Sequence, residues 1–307
     1  MPRWQRVSVH LTEAKDMRHF LYTLIPEEGK SPAALLQHLH ISANYDAPDL
    51  LNSDSFSRLS SFPHPTLRRF TWNVCLMPDF FPRVSTSLWT NLQQISLDIT
   101  TTRILHSFLK ACTNVRFVCI NTIRTFIEAD NVITPTIAHA LQSLNIGLVL
   151  GDLTETIALL TAPNLKRLSY ENSAGSGQSK GLEDFLRRSG CQLESLCIVC
   201  TTPDFDEAET KIMLRTPMFT AIPNFSLHLI EEGCHPSFPQ AIIAETAAKW
   251  SATAYVHYEP KNYGYHLGWG TIDMAHVYQI DYPFLVKSST PTIKWTVSFT
   301  DGPLTSA

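Results

Sequence analysis

With 307 residues, 44% of them hydrophobic and 17% charged, the chain has ample apolar material for a folded interior and not the composition of a disordered protein. A net charge of −4 excludes the strong basic excess of a general nucleic-acid binder, and no apolar run approaches the ~18 residues that a membrane-spanning helix needs. Met1–Leu11 holds no apolar stretch of leader-peptide length, and the seven cysteines are an odd count in apolar or mixed surroundings, so the expected setting is the cytoplasm or nucleus with reduced thiols.

Along the chain a short strand-like unit, apolar-x-x-apolar-x-apolar, recurs. It is carried in turn by Trp4, Val7, Val9; Leu36, Leu39, Ile41; Leu67, Phe70, Trp72; and Leu92, Ile95, Leu97. It continues as Val115, Val118, Ile120; Leu141, Leu144, Ile146; Leu165, Leu168, Tyr170; Leu193, Leu196, Ile198; and Ile222, Phe225, Leu227. From Leu36 onward the first positions step by 31, 25, 23, 26, 24, 28 and 29 residues. The tighter steps fall in the ~20–29-residue period of leucine-rich repeats.

Residues two apart on a strand share a face, so the second and third apolar positions point into a core and the first enters it from the preceding turn. One such unit cannot bury its apolar edge alone; neighbours must stack. Between the strands the chain reads mostly as helix. Asp152 is placed to cap a stripe of Leu153, Ile157 and Leu160 that Pro163 stops. Further helical stretches run through Ile104–Ala111 and Gly181–Arg188, the latter closed by Ser189-Gly190. The predicted fold is therefore α/β: a right-handed leucine-rich-repeat solenoid, or horseshoe, with one curved parallel sheet of about nine strands and helices on the convex side, which need more room than strands.

The repeat consensus asks for Asn or Cys three residues past the third apolar position. Asn44 and Cys75 fit, Thr100, Ser173 and Thr201 are weak substitutes, and Ile123, Val149 and Ile230 cannot make that hydrogen bond. An irregular array is expected. Residues 1–233 form the predicted solenoid and 234–307 a divergent C-terminal repeat or cap. From His235 onward there is no arginine, yet three of the six tryptophans and six of the nine tyrosines. Thr253–Tyr258 and Ile293–Phe299 are strand-like there, and Trp250, Tyr255, Trp269 and Trp295 are candidate apolar contacts of the cap.

Catalytic and metal chemistry finds little footing. His38-x-His40 with His10 on the next strand resembles part of a metal site, but no cysteine or carboxylate completes it at ligand spacing. Cys197-x-x-Cys200, with Cys191 upstream and Cys234 far off, lacks the second pair of a structural zinc site. Ser173–Gly181 is glycine-rich but without the Gly-Lys-Ser/Thr ending of a phosphate loop. No cofactor and no metal is expected, and the chain reads as a binding protein rather than an enzyme.

If the apolar positions face inward, those between them face outward on the concave side. The predicted protein-binding face comprises Arg6, His10, His38, His40, Arg69, Asn73, Gln94, Asp98, Phe117, Asn121, Arg167 and Glu171. Ser169, Gly147, Cys197, Val199 and His228 lie at equivalent outward positions. The face is near-neutral to mildly basic in an acidic chain. It suits a polar or acidic protein segment that arginines grip bidentately, with the histidines adding to that pull as pH falls through ~6.5. Eight strand gaps of ~4.8 Å make it roughly 40 Å long.

Ala162–Ile198, with Trp89–Leu97 and His106–Ile120, resembles the repeat region of mushroom-type fungal F-box proteins, and Pro2–Leu11 is similar to the segment where their F-box ends and the repeats begin. The resemblance covers roughly Pro2 to Leu229. It implies substrate recognition for a cullin ubiquitin ligase. In that family the F-box docks on a Skp-type adaptor. No Leu-Pro-x-Glu run precedes Trp4, so this chain by itself is not expected to bind the adaptor. Two alternatives stand beside this reading: a ligand-binding or enzymatic site in the aromatic C-terminal region His235–Ala307, which includes the Gly-aromatic stretch Asn262–Gly270, and a degenerate F-box-less paralogue.

Overall fold

The computed structural model describes residues 4–12, 16, 19–20, 24, 35–43, 66–73, 89–125, 134–172, 178–201, 207–232, 251–259 and 292–300. In chain order the elements are β1 (Arg6–Leu11), β2 (His38–Ala43), β3 (Arg69–Asn73), β4 (Gln94–Thr101), α1 (Thr102–Ala111), β5 (Phe117–Arg124), β6 (Thr136–Ile137) and β7 (Ser143–Leu150). Then follow α2 (Leu153–Ile157), β8 (Leu160–Thr161), β9 (Arg167–Asn172), α3 (Gln178–Ser189), β10 (Ser195–Thr201), α4 (Glu207–Arg215), α5 (Pro217–Thr220), β11 (Asn224–Glu232), β12 (Ser251–Glu259) and β13 (Thr292–Thr300). The fold is α/β. Eleven strands form one parallel sheet in the order β1-β2-β3-β4-β5-β7-β9-β10-β11-β13-β12, and β6 pairs with β8 in a second, two-stranded sheet.

The apolar unit explains the register. Val7, Leu39, Phe70, Ile95, Val118, Leu144, Leu168, Leu196 and Phe225 are successive partners across nine strands. Val9, Ile41, Trp72, Leu97, Ile120, Ile146, Tyr170 and Ile198 form a second row two residues on. From Leu39 and Ile41 onward every member of both rows is buried. Leu36, Leu67, Leu92, Val115, Leu141, Leu165, Leu193 and Ile222, the first positions of their units, join them in one core. Each such side chain contributes about 1.5–3 kcal/mol by leaving water. Ile104, Leu105 and Phe108 of α1, Leu153 and Ile157 of α2, and Leu182 and Phe185 of α3 belong to the same core. Among the described residues no helix is long and apolar enough to cross a membrane.

The strand starts repeat one pattern. The amides of Gln93 and Gln94 both donate to the Arg68 carbonyl at 2.9 and 3.0 Å, those of Arg116 and Phe117 to Gln93 at 2.8 and 3.0 Å, and those of Gln142 and Ser143 to Arg116 at 2.8 and 3.0 Å. Side chains add a tie just before the strand: Asn114 Nδ2 donates to the Thr90 carbonyl at 2.6 Å, and Asn164 Nδ2 to that of His139 at 2.7 Å. The sequence reading sought the asparagine after the strand. Asn44, Cys75 and Ser173 of that position lie outside the described residues. Thr100, Ile123 and Val149 occupy it as a further buried row, each the partner of the next.

Three expectations are corrected. Trp4 is 46% exposed, because β1 is an edge strand with nothing described beyond it; Val7 and Val9 are half-buried for the same reason. Asp152 caps α2 as expected, accepting from the Thr154 amide at 2.7 Å, but the helix ends at Ile157. Leu160 therefore lies not on a helical stripe but in β8, buried against the core. Gly147 is an extra residue at a bulge, since Ile146 faces Tyr170 while Leu148 faces Glu171. It does not sit in an outward row. Helix α3 ends as its sequence implies, at Gly190 with φ 61°.

The outer layer hides a polar staple. His106 on α1 is 2% exposed; its Nε2 lies 2.9 Å from the Thr156 carbonyl and its Nδ1 2.8 Å from Thr136 Oγ1. A carbonyl only accepts, so Nε2 carries the proton and the Thr136 hydroxyl donates to Nδ1: a neutral imidazole satisfies both ends. It links three successive connections, α1, β6 and α2. Burial lowers the His106 pKa, the Thr156 hydrogen bond raises it and Lys110 lowers it again, with burial the largest effect. The unfolded chain takes this proton near about 6.5, the folded chain only below that, so the contribution is whole above about 6.5 and lost as pH falls. His106→Leu is expected to cost about 1–3 kcal/mol at neutral pH by stranding two buried polar groups. It should also flatten the fall in urea midpoint between about pH 7.5 and 5.5. Equal pH slopes for the variant and the wild type would rule the staple out as the sensor.

Beyond Glu232 the chain returns to the same sheet. Ile293 and Trp295 of β13 lie at the register positions of Phe225 and Leu227, and β12 pairs outside β13. The two predicted C-terminal strands are present, and they extend the sheet beyond β11 in reversed chain order. Trp250, Trp269 and Asn262–Gly270 lie outside the described residues.

Candidate functional site

Alternation brings the outward positions into rows. The first runs Arg6, His38, Arg69, Gln94, Phe117, Ser143, Arg167, Ser195, Asn224; the second, Ser8, His40, Thr71, Ser96, Cys119, Asn145, Ser169, Cys197. Further along the strands lie His10 and Ser42, then Asn73, Asp98, Asn121 and Glu171. Arg6, His10, Arg69, Phe117 and Arg167 are exposed, while His38, His40, Asn73, Gln94, Asn121 and Glu171 are half-buried. Phe117, at 40% exposure, is a large apolar side chain in the middle of a polar row.

Cross-strand pairs knit these rows. His10 Nδ1 is 3.0 Å from Ser42 Oγ, Asn121 Nδ2 donates to Asp98 Oδ1 at 3.0 Å, and Asn145 Nδ2 to Cys119 Sγ at 3.7 Å. Asp98 is the exception among the predicted site residues: it is 3% exposed, with its carboxylate already engaged by Asn121. Burial raises its pKa against the pull of that hydrogen bond. Asp98 belongs to the framework of the face and not to its accessible surface. Ser169 and Val199 are likewise buried at outward positions. The His38 pKa is lowered by burial and by the positive charges of Arg69 and Arg6, so this imidazole gains its charge later on acidification than the ~6.5 expected from sequence.

Cys112, Cys119, Cys191 and Cys197, the cysteines whose side chains are described, are not poised for chemistry. Burial pushes the Cys112 thiol up to about 12 and that of Cys197 up to about 11, the latter despite a hydrogen bond with Ser169. Burial also raises Cys119 and Cys191. A thiol so shifted is not a nucleophile at neutral pH. Cys197 is half-buried on β10, and the Cys200 side chain lies outside the described residues. Among the described residues no group of three or more His, Cys, Asp or Glu could hold a metal ion. Of the glycine-rich segment, Gln178–Gly181 is the first turn of α3, and residues 173–177 lie outside the described residues.

Two features escaped the sequence reading. Asn before the strand left a signal, the recurring Asn91-Leu92, Asn114-Val115 and Asn164-Leu165. His106 left none, because its partners are 30 and 50 residues away.

No family model and no curated protein matches this chain. A solved structure of a Bacteroides fragilis protein aligns over 79% of this chain and 71% of its own length, at 12% identity and a TM-score of 0.38. A likeness of that degree carries no argument about this chain.

Proposed function

We propose that this chain is a protein-interaction module of leucine-rich-repeat type, acting in the cytoplasm or nucleus by holding a polar or acidic segment of a partner across its outward strand face, without catalysis. The observation that carries this reading is the register of nine parallel strands, continuous through the first two outward rows and shifted only beyond Ile146, which sets alternate polar side chains into rows. The ~20–29-residue step of the units, a feature of horseshoe arrays, supports the finer fold assignment. The resemblance of Ala162–Ile198 to the repeats of fungal F-box proteins supports a role in choosing substrates for ubiquitin ligation. Arg6 and Arg69 are both exposed and suited to bidentate pairing with carboxylates.

Affinity capture with mass spectrometry would supply the partner. Changing Arg6 and Arg69 together to glutamate is then expected to weaken its binding at least about tenfold, since each reversal replaces an attraction by a like charge. Asn73→Lys with Asn121→Lys probes the far rows of the same face. Unchanged affinity in both double variants removes the strand face from the function.

A further inference from the structure

The strand starts hold a charge pattern that the outward rows alone do not reveal. The residue before each strand accepts the two amides of the next, which fixes Gln5, Gln37, Arg68, Gln93, Arg116, Gln142 and Lys166 in one line along the edge of the sheet. Combined with the first outward row, this edge carries Arg6 on β1, Arg68 just before β3 and Arg69 on it, Arg116 just before β5, and Lys166 just before β9 and Arg167 on it, all exposed. The strands between them, β2, β4 and β7, present Gln37, Gln93 and Gln142 instead. Cations thus sit on every second strand, and amides on the strands between. Lys166 Nζ reaches Glu194 Oε1 at 2.7 Å, so side chains of adjacent strands in this line are within reach of one another. Among the described residues no carboxylate pairs with the five arginines. An acidic chain leaves this edge positive, with exposed Phe117 midway between Arg69 and Arg167, two strands from each.

The spacing selects a ligand conformation. Two strand gaps of about 4.8 Å put neighbouring cationic sites about 9.6 Å apart. Same-face residues of an extended β-strand recur at about 6.8 Å and miss that interval. A polyproline II segment has three residues per turn at about 3.1 Å each, so every third side chain returns to one side after about 9.3 Å. Its backbone N–H and C=O groups make no internal hydrogen bonds, and the amides of Gln37, Gln93 and Gln142 both donate and accept. A phosphodiester only accepts, and single-stranded nucleic acid is held by several aromatic platforms where this edge has one.

We propose that this edge binds an acidic polypeptide segment in polyproline II conformation, laid across the strands, with carboxylates at every third residue and one apolar side chain in the series over Phe117. This deepens the protein-binding reading above and rests on it. Six strand gaps from β1 to β9 span about 29 Å, close to the length of ten residues in this conformation.

The test uses the full chain and synthetic ten-residue peptides followed by fluorescence anisotropy. One has the order Glu-Pro-Ala-Glu-Pro-Ala-Leu-Pro-Ala-Glu, a second the mirrored order, and a third the same composition with its glutamates adjacent. One spaced peptide is expected to bind at least about tenfold more tightly than the clustered one, and Arg116→Glu with Arg167→Glu should abolish that difference. Circular dichroism of the variant should match the wild type, since both positions are exposed. Equal binding of spaced and clustered peptides overturns the proposal, as does no saturable binding below about 1 mM. Tighter binding of a ten-nucleotide single strand assigns the edge to nucleic acid and overturns it too. A captured partner that still binds the Arg116/Arg167 variant but not the Arg6/Arg69 variant leaves the protein-binding reading standing while this inference falls.

Discussion

Replacing Phe70 by alanine is expected to destabilise the chain by about 3–5 kcal/mol, the range for emptying a fully buried aromatic site. Phe70 is 0% exposed and lies in register between Leu39 and Ile95. The edge of one ring meets the face of the other with Trp89, at 4.9 Å between centroids and 85° between planes, and Trp72 is 5.9 Å away. Such aromatic pairs add about 0.5–1.5 kcal/mol beyond the area they bury. Arg69→Ala is the control, one residue earlier on the other face and exposed; its cost should stay within about 0.5 kcal/mol. Urea denaturation of both variants gives the comparison. If Phe70→Ala costs no more than Arg69→Ala, the inward row is not a core. The consequence reaches function, because Arg69 and Thr71 hold their outward positions only while Phe70 is seated between its neighbours.

Gly151→Ala should cost about 2–4 kcal/mol, from backbone strain and a displaced polar group together. Gly151 turns the chain from β7 into α2 with φ 115°, a conformation that L side chains rarely adopt. A Cβ there would stand 2.0 Å from Thr125 Oγ1. That hydroxyl donates to the Leu150 carbonyl at 3.3 Å and accepts from the Asp152 amide at 3.1 Å, so it cannot yield without breaking the turn. Thr125→Ala removes the obstructing atom. In the double variant the two costs should therefore sum to less than their separate values. Gly190→Ala has positive φ but nothing within 4 Å, and should show only the backbone part, about 1–2 kcal/mol. Strict additivity of the Gly151 and Thr125 changes in thermal or urea melts would discard the steric account.

Which features were legible follows from how far apart in the chain their causes lie. The inward rows were legible because alternation is a property of one strand: Leu39 and Ile41 declare a face without reference to any neighbour, and a repeated step then implies that like positions stack. The cap at Asp152 and the stop at Gly190 were legible for the same reason, since a helix end is decided by a few adjacent residues. The shortening of α2 was not, because Leu160 fits a helical stripe and a short strand equally well, and pairing with Thr136 settled the matter.

Parity places residues on a strand face until a bulge such as the one at Gly147 breaks it, and it does not decide accessibility. Asp98 and Arg69 are both outward on their strands; one is buried against Asn121 and the other is open to solvent. Sequence by itself determined the parallel order of the units, the faces of their side chains and the local stops, because those rest on contacts within one turn or one strand. Tertiary structure alone decided the bulge at Gly147, the neutral His106 staple, the placing of β13 between β11 and β12, and the line of cations on alternate strands. Each of these depends on which residue of one unit stands beside which residue of another, and that pairing is set by closing loops of twenty residues or more, as between Arg68 and Gln93, whose contribution no local period contains.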